Sequence, residues 1–120
     1  MKVLVHHIYE YKKGLRHLVL HTLDAGYRVE AERKLQTQNI DYIVREVTPS
    51  KINLFFGDKE CVDVLRQIGN KKLNEFTPEE DFILGTMLGY DRILQCRRYL
   101  KLKQNSLNKL SYLAVVKHGA

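Results

Sequence analysis

Residues 40–58 read Ile40-Asp41-Tyr42-Ile43-Val44-Arg45-Glu46-Val47-Thr48-Pro49-Ser50-Lys51-Ile52-Asn53-Leu54-Phe55-Phe56-Gly57-Asp58, and this stretch decides the fold class. Two runs of strand length, rich in β-branched and aromatic residues, flank Pro49-Ser50. Such runs around a turn signal predict strands over Ile40–Thr48 and Lys51–Phe56, paired antiparallel. In the second strand the two-residue period puts Ile52, Leu54 and Phe56 on one side and Asn53 and Phe55 on the other.

Toward the C-terminus the period becomes helical. Asp58 is placed to cap a helix running to Ile68, its carboxylate taking free N–H groups of the first turn. That helix is expected to bury Cys61, Val64, Leu65 and Ile68 and to close at Gly69-Asn70. Thr77-Pro78-Glu79-Glu80 is the clearest local signal in the chain: a capping threonine, a proline at the first helical position, and a glutamate that completes a capping box. The helix it opens carries Phe82, Ile83 and Leu84 and stops or kinks near Gly89. Asp91 then starts a last long helix reaching about Asn105. Residues 107–117 read two ways. Leu107, Leu110 and Ala114 suit a helix, whereas Tyr112 to Val116 suit a strand.

Toward the N-terminus, Val3–Ile8 is apolar at both alternations and reads as a strand central in its sheet. Residues 11–24 read as a helix with Leu15, Leu18, Val19, Thr22 and Leu23 on one arc, ended by Gly26. Arg28–Gln38 reads as a shorter, charged helix. The expectation is a compact α+β fold, a single domain over residues 1–120, with about three strands in one small sheet packed against about five helices.

Composition agrees with a globular chain: 120 residues, 44% hydrophobic and 28% charged. A chain of this length buries enough surface to fold without a metal or a disulfide. Cys61 and Cys96 lack CxxC spacing and are too few for a disulfide framework. No apolar run approaches the roughly 18 residues of a membrane span, and Met1–His7 is too short in apolar residues for a signal-peptide core. A cytoplasmic location with no membrane association is expected. The net charge of +6 is unevenly placed. Residues 1–91 hold 13 Lys/Arg against 14 Asp/Glu, while residues 92–120 hold 7 Lys/Arg and no acid. A one-signed end of this kind points to an acidic partner.

Four constellations bear on function. His17 and His21, one turn apart on the expected helix and continued by Asp24, form an HxxxH pattern, with His6 and His7 as candidates for a third ligand. Zinc needs three or four converging ligands and HxxxH supplies two, so a solvated face opposite Leu15 and Leu18 is the favoured reading. The cysteines are expected in the core, since a reactive thiol needs exposure and a depressed pKa. Gly57, Gly85 and Gly89 match neither GxGxxG nor GxxxxGK[ST]. Gly85 to Gly89 reads instead as a close helix contact followed by a helix stop. Glu79-Glu80-Asp81 is explained by the dipole of the helix it opens. The strongest signal is the last helix, where Arg97, Arg98 and Lys101 fall within an arc of about 100°, extended by Lys103, Lys109 and Lys117. No cofactor is implied by any of these patterns.

Thr77 to Asp91, continued by Gln95-Cys96-Arg97-Arg98-Tyr99, resembles a small uncharacterised bacterial family, the domain of unknown function two-zero-two-three. Two earlier stretches, Lys13-Gly14-Leu15-Arg16 to Thr22-Leu23 and Ile52 to Gly57, are similar to it as well. The resemblance implies three strands, five helices, a homodimer and no assigned activity or catalytic residues. Members are often encoded beside a flavodoxin, a strongly acidic electron carrier. The expected function is therefore a homodimeric accessory or regulatory protein whose Arg97, Arg98 and Lys101 bind an acidic, flavodoxin-like partner. The alternatives are a nucleic-acid-binding protein using the same helix, and a metal protein or small enzyme around His17, His21 and Asp24.

Overall fold

The computed structural model describes the backbone of residues 1–117 and the side chains of residues 1–111. The chain runs α1 (Lys2–Lys12), β1 (Leu18–Asp24), a single 3-10 turn, α2 (Arg28–Thr37), β2 (Asp41–Thr48), β3 (Lys51–Gly57), α3 (Lys59–Ile68), a second 3-10 turn (Leu73–Glu75), α4 (Pro78–Met87) and α5 (Arg92–Lys117). The strands form one antiparallel sheet in the order β1-β3-β2. The fold class is α+β, with five helices and three strands.

β3 is the axis of the molecule. Ile52 to Phe56 are all buried, because each of its faces belongs to a separate core. Ile52, Leu54 and Phe56 join Val19, Leu23 and, from α1 and α2, Leu4, Ile8, Ala31 and Leu35. Phe55, on the opposite face, joins Leu18 with Val62 and Leu65 of α3 and Leu84 of α4. The sheet is thus sandwiched between α1/α2 and α3/α4. The hairpin has the expected strands and pairing. Its turn is held by Thr48 Oγ1, which accepts from the Lys51 amide at 3.1 Å.

The N-terminal third differs from the sequence expectation. Val3–Ile8 is helical, within α1, and residues 18–24 form β1 rather than part of a helix. Leu4 and Ile8 are buried, with Met1 and Tyr11 packed beside them, while Val3 and Val5 face solvent. Positions 1, 4, 8 and 11 form a helical stripe, and the continuous run Val3-Leu4-Val5 conceals it. The helix ends at Lys12, and Gly14 takes a φ of +77°, a left-handed conformation that turns the chain back. β1 can then supply the free edge of β3, which is where its backbone groups find partners. Gly57 ends β3 so close to the carbonyl of His17 that a Cβ there would collide with it, and the Asp58 amide donates to that same carbonyl at 2.8 Å.

α3 is present over the expected span but turned. Val62 and Leu65 are buried, Cys61 and Ile68 are half-buried, and Val64 is exposed. The buried arc is therefore 61-62-65-68. The capping box of α4 is as expected: Thr77 Oγ1 accepts from the Glu80 amide at 3.1 Å, and Glu80 Oε1 accepts from the Thr77 amide at 2.9 Å. Asp91 caps α5 by accepting from the Leu94 amide at 2.9 Å. α5 then runs to Lys117, so residues 107–117 are helical.

Candidate interaction helix

At 26 residues, α5 is about 39 Å long. Its principal neighbour is α4. Gln95, buried, and Tyr99 lie on the contact side; the Tyr99 ring meets Phe82 edge-on at 5.7 Å, and its hydroxyl donates to Glu79 Oε2 at 2.8 Å. Beyond that contact the helix stands away from the body. The molecule measures 60 × 33 × 23 Å with a radius of gyration of 17.3 Å, against about 13–14 Å for a spherical chain of this length.

The basic residues of α5 separate into two groups. Arg98 lies toward α4 and makes a forked pair with Asp81, Nε to Oδ2 at 2.8 Å and Nη2 to Oδ1 at 3.0 Å. Lys103 donates to Glu79 at 3.0 Å. With the Tyr99 hydroxyl, it holds the Glu79 carboxyl below the usual carboxylate range. Arg97 and Lys101, one turn apart, have no carboxylate partner among the described residues. The structure thus divides the expected trio: Arg98 ties α5 to α4, whereas Arg97 and Lys101 face outward.

Beside that pair runs an apolar stripe. Ile93, Leu100 and Leu107 recur every seven residues, each more than half exposed, and Cys96 and Leu110 take the positions three residues after Ile93 and Leu107. Lys103 occupies the remaining one, with its charge drawn back to Glu79. This is the a/d pattern of a coiled-coil seam, lying roughly 100° around the helix from the α4 contact. Cys96 is exposed on it, contrary to its expected place in the core; Cys61, half-buried, has its thiol pushed up by burial and by Asp58 and Glu60. The seven-residue spacing was present in the sequence. Its meaning is concealed there because apolar residues at helical spacing fit a face turned to the chain's own core equally well.

The histidine constellation does not assemble. His17 precedes β1, and the pleat sends His21 and Asp24 to opposite faces of that strand. His17 Nδ1 donates to Asp58 Oδ2 at 2.7 Å, His21 packs edge-on to His7, and Asp24 pairs with Lys51 at 2.6 Å. Burial and the neighbouring His7 lower the His21 pKa. Among the described residues no group of three His, Cys, Asp or Glu side chains is placed to hold a metal ion. Asp58 also departs from its expected role. It stands at the N-cap of α3, but its carboxylate accepts from His17 and from the Tyr11 hydroxyl at 3.1 Å instead of capping the helix.

These features define a small α+β protein with a projecting helix that carries an exposed apolar seam and a flanking basic pair. Residues 2–102 match the family described as protein of unknown function DUF2023, and the chain belongs to that family. The match ends within α5, before Leu107. No curated protein matches the chain. No helix among the described residues is long and apolar enough to cross a membrane.

Proposed function

We propose that this protein is a homodimeric accessory protein, paired through α5, that presents Arg97 and Lys101 to an acidic partner protein of the flavodoxin-like kind. The observation that carries the reading is the seam of Ile93, Cys96, Leu100, Leu107 and Leu110, exposed on a helix whose principal neighbour is α4. A second copy is the occupant that fits best, because its seam has the same seven-residue spacing and two such stripes mesh knob into hole. Pairing leaves Arg97 at the flank of the seam and Lys101 further out, so the dimer carries two basic rows. Exposed charges of this kind contribute orientation and association rate more than affinity. The cytoplasm is the compartment consistent with two free thiols.

Sedimentation of the wild type against the Leu100→Asp/Leu107→Asp double variant tests the dimer. The expected result is twice the mass of one chain for the wild type and a single-chain mass for the variant at unchanged helix content. A monomeric wild type at tens of micromolar would overturn it. Retention of nucleic acid through purification, lost steeply with salt, would replace the acidic protein with a polyanion.

A further inference from the structure

A second feature is built by residues outside α5. A cavity of about 270 Å³ opens between the α3/α4 face of the sheet, the end of α3 and the segment around Leu73. Its apolar walls include Ile43, Phe55, Leu65 and Phe76. Its polar lining includes Asn53 of β3 and its cross-strand neighbour Arg45 of β2, with Glu46, Lys71, Lys72 and Asn74 around them. Asn53 is only 7% exposed. Its Oδ1 accepts from the hydroxyl of Thr22, its cross-strand neighbour on β1, at 2.6 Å, an arrangement that leaves Nδ2 as a donor. Nδ2 has no acceptor among the described residues, yet no side-chain polar atom is sealed away without a partner, so this group opens into the cavity.

The remaining charges select the ligand. Lys71 is taken up by both oxygens of Glu80, at 2.7 and 3.0 Å. The side chains of Arg45 and Lys72 have no carboxylate partner among the described residues; Arg45 donates only to the Val44 carbonyl, at 3.3 Å. Glu46 also borders the cavity, but the strand register pairs it with Ile52, on the opposite face of the sheet. The inner polar wall therefore offers donors and positive charge. An acceptor-rich anion entering the cavity meets these donors with charge-assisted hydrogen bonds, about twice as strong as neutral ones.

We infer that this cavity binds a small carboxylic acid, its carboxylate held by Asn53 Nδ2 and the Arg45 guanidinium and its compact apolar body held against Phe55 and Phe76. The volume suits that class. Roughly 150 Å³ accommodates benzene, so the space takes a ring or a branched chain with its acid group. The site is independent of α5 and of the dimer.

The test is a titration of the full chain with benzoate and isovalerate, with benzyl alcohol and benzylamine as neutral and cationic counterparts, followed by NMR at the Asn53 side-chain amide. Saturable shifts of that amide with both carboxylates, absent with benzylamine, are expected. Arg45→Gln, a half-buried edge-strand position, should weaken binding about tenfold or more while the fold stays intact; Asn53→Leu should abolish it. If neither carboxylate moves the Asn53 amide up to about 10 mM, ten times the millimolar range of weak ligands, the inference fails. It fails equally if benzyl alcohol binds as well as benzoate and Arg45→Gln changes nothing.

Discussion

The side chain of Gln95 on α5 occupies the space where a Cβ on Gly85 of α4 would stand. Gly85 is buried, and Gln95 is one of two buried polar side chains among the described residues. The absence of a side chain at Gly85 thus sets how closely α5 crosses α4. Gly85→Ala is expected to push the flexible end of Gln95 aside and to lower stability by no more than about 1 kcal/mol, because the clash is with a side-chain tip and the helix gains on losing a glycine. Much of that loss should be recovered when Gln95→Ala accompanies it, because the second change vacates the colliding volume. Urea unfolding of the two single variants and the double variant provides the comparison.

The two cysteines should report the state of α5. In the monomeric Leu100→Asp/Leu107→Asp variant, Cys96 is expected to react with a maleimide as fast as an open thiol. In the wild type at dimer-forming concentration it should be slowed, since it sits in the seam. Cys61 should react slowly in both proteins, because burial and nearby carboxylates keep its thiol protonated. Equal Cys96 rates in the two proteins would place the seam elsewhere.

Arg97 and Lys101 should be separable from Arg98. Arg97→Gln/Lys101→Gln is expected to change stability by no more than about 0.5 kcal/mol, yet to slow association with an acidic protein and flatten its salt dependence. Arg98→Gln removes the pair with Asp81 and should cost about 0.5–1 kcal/mol, typical of an exposed ion pair. Stopped-flow association at several salt concentrations, beside thermal unfolding, distinguishes the two roles.

Acid should weaken the α3–β2 junction. Arg66 reaches Asp41 with both terminal nitrogens, at 2.9 and 2.7 Å, and this holds the Asp41 carboxyl below its ordinary range. A depressed folded-state pKa means the unfolded chain binds the proton more readily. The stabilisation is then fully present above the unfolded value of about 3.9 and is lost as pH falls through the lower folded value. Wild-type stability should therefore rise with pH through the acid range, and Arg66→Gln should reduce that slope. Denaturant midpoints taken from about pH 6 downward through the unfolded value of about 3.9 give the measurement.

Local signals survived into the structure where a short segment carries its own geometry. The capping box at Thr77, the turn at Pro49-Ser50 and the alternation in Lys51–Phe56 each depend on residues within a few positions of one another. So does the stop at Gly89, whose φ of +80° suits glycine. The basic residues of α5 were legible as a charged arc, but their division between Asp81, Glu79 and open solvent was not, because both acids belong to another helix.

The α+β class, the hairpin, the three C-terminal helices and the family were determined by the sequence alone. Only the tertiary structure decided the rest. Residues 18–24 became a strand because β3 has a second edge whose backbone groups need partners, and no local pattern records that need. Val3–Ile8 became a helix because a core on the α1 side of the sheet accepts Leu4 and Ile8 and leaves Val3 and Val5 outside. Asp58 gave up its cap because His17 and Tyr11, more than 40 residues earlier in the chain, arrive within hydrogen-bond distance. The leucines of α5 are apolar in either case. Whether they face a core or water depends on where the body ends, a property of the assembled fold that a helical period cannot contain.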